Sequence, residues 1–285
     1  VPRKIWLHQG PHTDIFPLRT AEWLRQLHGW FDYWLYGIDS GIMREPQADV
    51  EIAVGQWEQH ATWPLPGTRT VSLHPGSGSK LNLLPRLNSP QESFVDQKTR
   101  TAEQLVEATG DDPNRLAYTT GTLPSDVRIS GTPTVSVRAS LKNGASPYLT
   151  ALLVDYGTDV RADGTLISTG QEYCYGQGVP GDTGCAALRA LGTARTPFRI
   201  VTRDWIDVRN RHRADRTEPL LPGKEYDFTW DFQPMDYVFK KGHRLGLVII
   251  STDHDYTLRY PEGTEITVSS GQSALRLPVT SGRLG

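Results

Sequence analysis

Two periodicities of apolar residues divide the chain near residue 47. Before that point, after Pro17, the spacing is helical. Trp23, Leu27, Trp30 and Trp34 fall on one stripe, and Leu24, Phe31, Leu35 and Ile38 widen it. Ahead of the stripe, Lys4 to His8 (KIWLH) reads as a short strand running into a Gly10-Pro11 turn. Behind it, Gly37 and Gly41 are stop signals and Pro46 begins a linker. The pattern predicts strand, loop and one helix from about Arg19 to Ile38. Left in water, the eight apolar side chains of the stripe would forgo roughly 10–20 kcal/mol of burial, at about 1.5–3 kcal/mol each. The helix is therefore expected to pack its aromatic face, with Trp23, Trp30 and Trp34, on polypeptide outside this chain.

From Asp49 onward the period is two. DVEIAV, TRTVSL, SKLNLL, PTVSVRASLK, YLTALLVDY, PFRIVTR, KEYDFTWDF, RLGLVIIS and ALRLPV are separated by Gly, Pro, Asn and Asp turns. Val135, Val137, Ala139 and Leu141 share one strand face, and Tyr226, Phe228, Trp230 and Phe232 share another. Many short strands at this spacing predict a mainly β fold, a jelly-roll sandwich over residues 48–285, with no parallel α/β core from residue 49 onward. The polar stretch Asp96 to Gly110 is expected to be a surface helix or an irregular excursion.

Composition narrows the possible functions. Thirty Lys and Arg against 32 Asp and Glu give a net charge of −2 over 285 residues. That excludes a broad basic surface for nucleic acid and leaves little attraction to anionic membranes. No apolar run approaches the roughly 18–20 residues of a membrane span, so a soluble chain is expected. It begins with Val1 and has no signal-like segment, as expected of a processed product or a piece of a longer polypeptide. The two cysteines, Cys174 and Cys185, flank a Gly-rich segment able to bend back. They are read as a disulfide, which would point to an oxidising compartment and secretion; two free thiols are the alternative.

Candidate chemistry is sparse. No serine lies in the G-x-S-x-G elbow of an α/β-hydrolase; Gly271-Gln272-Ser273 comes nearest but continues Ala274-Leu275. His8 and His12, four apart, lack the further ligands of a metal site. Asp155, Asp159 and Asp163 have calcium-like oxygen character, but an Asp-Gly hairpin turn explains them equally. Asp253-His254-Asp255 reads as a solvated loop, and Trp57 and Trp63 as packing residues rather than a sugar platform. No metal or cofactor is expected, and no substrate-binding residue is legible. His12 stands apart by position. It follows a strand and a Gly-Pro turn and precedes a long helix, the place of a hydrolase triad histidine, although a structural histidine fits the same position.

KIWLHQGPHTD, EWLRQLHGWFDYWLYGIDSGI and EPQADVEI together resemble the end of the catalytic domain of Xaa-Pro dipeptidyl-peptidases, a family that also holds cocaine-esterase-like and acylase-type hydrolases. AYTTGTLPSDVRISGTPTVSVRASL, ADGTLISTG, EPLLPGKEYDF, FKKGHRLGLVIIS and the closing LPV resemble its C-terminal jelly roll, in order. The resemblance covers essentially the whole chain and is greatest to secreted actinobacterial members. It implies that residues 1–47 are the last strand, histidine loop and closing helix of an α/β-hydrolase domain, and that residues 48–285 are the jelly roll. It also implies an enzyme that removes Xaa-Pro dipeptides from peptide N-termini, with His12 as general base. His8 would then be a strand or supporting residue, and Asp14, too near to be the triad aspartate, would support the loop. The nucleophilic serine and the triad aspartate would lie in an N-terminal part of the same enzyme. A carbohydrate- or partner-binding module without activity is the alternative.

Overall fold

A computed structural model describes residues 1–10, 12, 14–86, 89–107 and 110–284. Pro11 of the expected turn and residues 108–109 of the expected excursion lie outside the described residues. The chain divides into two compact units, Val1–Trp63 with Asp159–Thr196, and Pro64–Thr158 with Pro197–Gly285.

In the first unit, strand β1 (Ile5–Leu7) leads through the histidine loop into helix α1 (Thr20–Tyr36). The helix ends where Gly37 adopts φ 69°, the left-handed conformation that glycine takes without a Cβ clash, and the Ile38 N–H returns to the Asp32 carbonyl. Strand β2 (Ala48–Ala53) then pairs in parallel with β1, Ile5 opposite Ala48 and Leu7 opposite Val50. A tight turn at Gly55 sends β3 (Gln56–His60) back antiparallel to β2. This corrects the reading of DVEIAV as the first strand of the sandwich. It is the second strand of a β-α-β unit, where the crossover helix makes a parallel pair possible. Its mixed Asp-Val-Glu-Ile pattern looks the same in either setting.

The second unit is the sandwich. The strand Thr134–Lys142 pairs with Tyr226–Asp231 on one edge and with Glu265–Ser269 and Ala274–Ser281 on the other. The strand Arg244–Ile250 joins Tyr148–Tyr156 to Leu116–Thr119. Alternation sets the inward faces: Val135, Val137, Phe228, Leu153, Leu247 and Ile249 share one core. YLTALLV and RLGLVII run nearly continuously apolar because both their faces are buried. Their other face, with Leu152, Val154, Val248 and Ile250, is covered by Leu105 and Val106. These come from the short helix Ala102–Glu107, which lies in the polar stretch expected to be a helix or excursion.

The two longest strands, Tyr148–Cys174 and Cys185–Asp207, begin and end in the second unit, and their far halves form a two-stranded arm in the first. ADGTLISTG, expected as a turn, is instead strand within this arm. Its side chains are largely exposed, so it carries no buried face to mark it as strand.

Candidate functional site

The loop after β1 is organised by a carboxylate that sequence reasoning did not single out. Glu51, on β2 and buried, accepts the Gln9 N–H at 2.6 Å and the Gly55 N–H at 2.7 Å, one on each oxygen. The Gln9 side chain donates to the Glu51 carbonyl at 3.1 Å. The Gly10 N–H donates to His8 Nδ1 at 3.1 Å, which leaves the proton of neutral His8 on Nε2. Asp14 Oδ1 accepts the Phe16 N–H at 2.9 Å, closing the loop before α1 begins. His12 lies between these ties with its side chain exposed.

Asp49 is the second buried acid of β2, and it joins the strand to the helix. Arg19 meets it at 3.1 Å and stacks its guanidinium over Trp6 and Trp57, 4.4 and 4.5 Å from the ring centroids. Gln26 donates to Asp49 at 3.1 Å and accepts the Trp6 indole N–H at 2.9 Å. Asp49 and Glu51 alternate along DVEIAV and so share one face of the strand. In the structure that face is dry and fully hydrogen-bonded, as buried charge must be to persist. In the N-terminal half of α1, Arg25 pairs with both Glu22 and Glu45 and holds both carboxyls below the usual carboxylate range.

The aromatic stripe divides along its length. Trp23, Leu27 and Trp30, with Lys4, Trp6, Ile15 and Gln26, line a cleft of about 250 Å³. Further along, Phe31, Tyr33, Trp34, Leu35 and Tyr36 are exposed, Trp34 at 47% and Leu35 at 69%. Among the described residues nothing covers them.

The other sequence candidates are dispersed. Asp155 is buried, accepting from Tyr237 at 3.0 Å and paired with His243 Nδ1 at 2.8 Å. Asp159 accepts from its neighbour Val160, and Asp163 from Thr165, so each aspartate has its own local partner. Among the described residues no three or more His, Cys, Asp or Glu are grouped to hold a metal ion. Asp253 is not solvated: it is fully buried against Arg203 at 3.0 Å, and burial raises its pKa against the pull of that arginine. His254 hydrogen-bonds the Lys98 carbonyl at 2.7 Å. Trp57 lies under Arg19, and the Trp63 backbone N–H bonds Gln47. Cys174 and Cys185 form a disulfide near the tip of the arm. No helix of the described residues is long and apolar enough to cross a membrane.

The same fold recurs in solved structures of other proteins. A CocE/NonD family hydrolase from Staphylococcus aureus superposes with a TM-score of 0.64 at 14% identity, over 98% of this chain and 49% of that one. An aminopeptidase from a marine sediment archaeon, Thaumarchaeota archaeon, gives 0.59 at 16%, over 92% of this chain and 45% of that one. The sequence is more specific. Residues 40–282 match the X-Pro dipeptidyl-peptidase C-terminal non-catalytic domain, and the chain belongs to that family. A putative Xaa-Pro dipeptidyl-peptidase from Bacillus anthracis is 38% identical over 96% of this chain and 40% of its own length. One from Streptomyces avermitilis is 35% identical over 99% of this chain and 43% of its own. The chain thus spans about two fifths of these relatives. Its match to the family domain begins at residue 40, so His12 and all of α1 precede it.

Proposed function

We propose that this chain is the C-terminal part of a secreted serine exopeptidase that releases Xaa-Pro dipeptides from peptide N-termini. Residues 1–47, with the strands β2 and β3 that pair onto β1, complete the catalytic domain, and the sandwich that follows is its accessory jelly roll. The observation that carries the reading is the likeness of nearly the whole chain to Xaa-Pro dipeptidyl-peptidases over a stretch that includes the histidine loop ahead of the non-catalytic domain. In this reading, neutral His12 takes the proton of a serine supplied by the N-terminal part of the enzyme. An aspartate of that part holds the imidazole tautomer and steadies the imidazolium. The N-terminal part covers Trp23, Trp30 and Trp34, which accounts for so large an apolar patch on α1. The disulfide supports secretion, and we place the chain with the secreted actinobacterial members of its family.

The test is activity of the assembled protein on a chromogenic Xaa-Pro substrate. His12→Ala should lower kcat by roughly 10³–10⁴-fold or more without changing the unfolding midpoint. The isolated chain should neither turn over substrate nor be labelled by a serine-directed phosphonate. Turnover by the isolated chain, or an active His12→Ala enzyme, would overturn the proposal. Glycan binding by the isolated chain, with no rate gained on adding the serine-bearing part, would favour a binding module.

A further inference from the structure

Partway along its length the arm runs against the histidine loop. Leu191, only 9% exposed, lies so close to Gly10 that a Cβ there would stand 2.8 Å from Leu191 Cδ2 and 2.9 Å from His8 Nδ1. Two residues earlier on the same strand, the Arg189 N–H leaves the arm and donates to the Pro17 carbonyl at 2.8 Å. Gly10 and Pro17 bracket the segment that contains His12. Two arm residues therefore touch the two ends of one loop.

The arm is built to bear such a load. A lone two-stranded ribbon is marginal in water, and this one is stapled along its length. At its root the Arg161 guanidinium donates to the Thr196 carbonyl at 2.7 Å and to its hydroxyl at 3.0 Å. Farther out, the Thr169 hydroxyl bonds the Leu188 carbonyl at 3.0 Å, and beyond that the Cys174–Cys185 disulfide ties the strands. Gly192 lets the strands meet closely, since a Cβ there would stand 2.0 Å from Thr165 Oγ1.

We propose that the disulfide-closed arm is a strut for the histidine loop, and that Leu191 and Arg189, through its backbone N–H, are positioning residues for His12. The proposal rests on the reading of His12 as general base. A general base must sit within hydrogen-bond reach of the proton it takes, and misplacement by about 1 Å can cost on the order of 100-fold in rate. Glu51 fixes the start of the loop from within the sheet. The arm secures its end through the Pro17 carbonyl, which accepts the Arg189 N–H.

Paired substitutions test this. Leu191→Ala removes the wedge and Leu191→Met keeps it. Arg189→Pro deletes the N–H on an outer edge where proline is tolerated, whereas Arg189→Ala keeps it. Hydrogen exchange in this chain is followed over residues 8–19, and kinetics are measured in the assembled enzyme. Leu191→Ala and Arg189→Pro should speed loop exchange by roughly tenfold or more. They should lower kcat by roughly 10–100-fold with KM within about twofold. Leu191→Met and Arg189→Ala should stay near the unmodified protein in both. Unchanged loop exchange, with the arm's own exchange and disulfide intact, would overturn the strut. So would equal kcat losses in Arg189→Ala and Arg189→Pro. If Leu191→Ala loosens the arm itself, the Arg189 pair decides. An active His12→Ala enzyme would remove the general base, and loop exchange alone would then decide whether the arm is a strut.

Discussion

Two aromatic stripes of equal regularity meet opposite fates. On the strand Tyr226–Asp231 and just beyond it, Phe228, Trp230 and Phe232 are 0%, 8% and 2% exposed. On α1, Phe31, Trp34 and Leu35 stand open. Both patterns report that one face is apolar; neither reports what covers it. The sandwich stripe is buried by the facing sheet of its own unit, while the outer part of the helix stripe is uncovered among the described residues. The polar groups divide in a similar way. The second unit buries His243 against Asp155 as a closed pair, whereas the first exposes His12 on a loop whose backbone is held by Glu51.

The largest expected difference between the stripes is in stability. Phe228→Ala should cost about 3–5 kcal/mol, since it combines lost burial with a cavity in a packed core. Trp34→Ala should move the unfolding free energy of this chain by less than about 1 kcal/mol. It should instead weaken association with the serine-bearing part by about 2 kcal/mol or more, as loss of an interface anchor does. Denaturant melts and a titration of the two parts measure these, and equal stability losses would erase the contrast. Reducing the disulfide closes the comparison at the arm. The chain-entropy value for an 11-residue separation is roughly 2.5–3 kcal/mol, and here it should appear as loss of protease resistance in residues 159–196, with the sandwich transition unmoved.

Smaller still is His243→Ala, which takes one hydrogen-bond partner from buried Asp155 and should cost about 1–3 kcal/mol with kcat of the assembled enzyme unchanged. The weakest effect is on acidification, where two carboxylate sites, one in each unit, should respond with opposite sign. Glu22 and Glu45 are held below their ordinary value of 4.5 by Arg25. Their stabilisation is present above that value and fades as pH falls through the lower folded one. Because Arg25 is half exposed, each pair is worth under about 1 kcal/mol. Asp253 is shifted upward by burial, so its contribution to stability falls as pH rises from its ordinary 3.8 through the folded value. Unfolding measured from pH 3 to 6 should show a shallower acid limb in Arg25→Ala and, in Asp253→Asn, loss of the small opposing contribution.

By itself the sequence determined which faces are apolar and at what period: the helix, the alternating strands of the sandwich, the stop at Gly37 and the cysteine pair. These are local properties, set by backbone geometry and side-chain burial over a few residues. Tertiary structure alone decided that β2 leaves the sandwich to pair with β1, that Asp49 and Glu51 are buried scaffolding, and that ADGTLISTG is strand. It also decided that Asp253 sits against Arg203, away from water. Each of these depends on a partner about 20 to 50 residues away: Leu188 for Thr169, Ile5 for Ala48, Gln9 for Glu51, Arg203 for Asp253. Period two specifies only that side chains alternate across a strand. Which side becomes dry is settled when a distant segment arrives with the hydrogen bonds that let a carboxylate stay there.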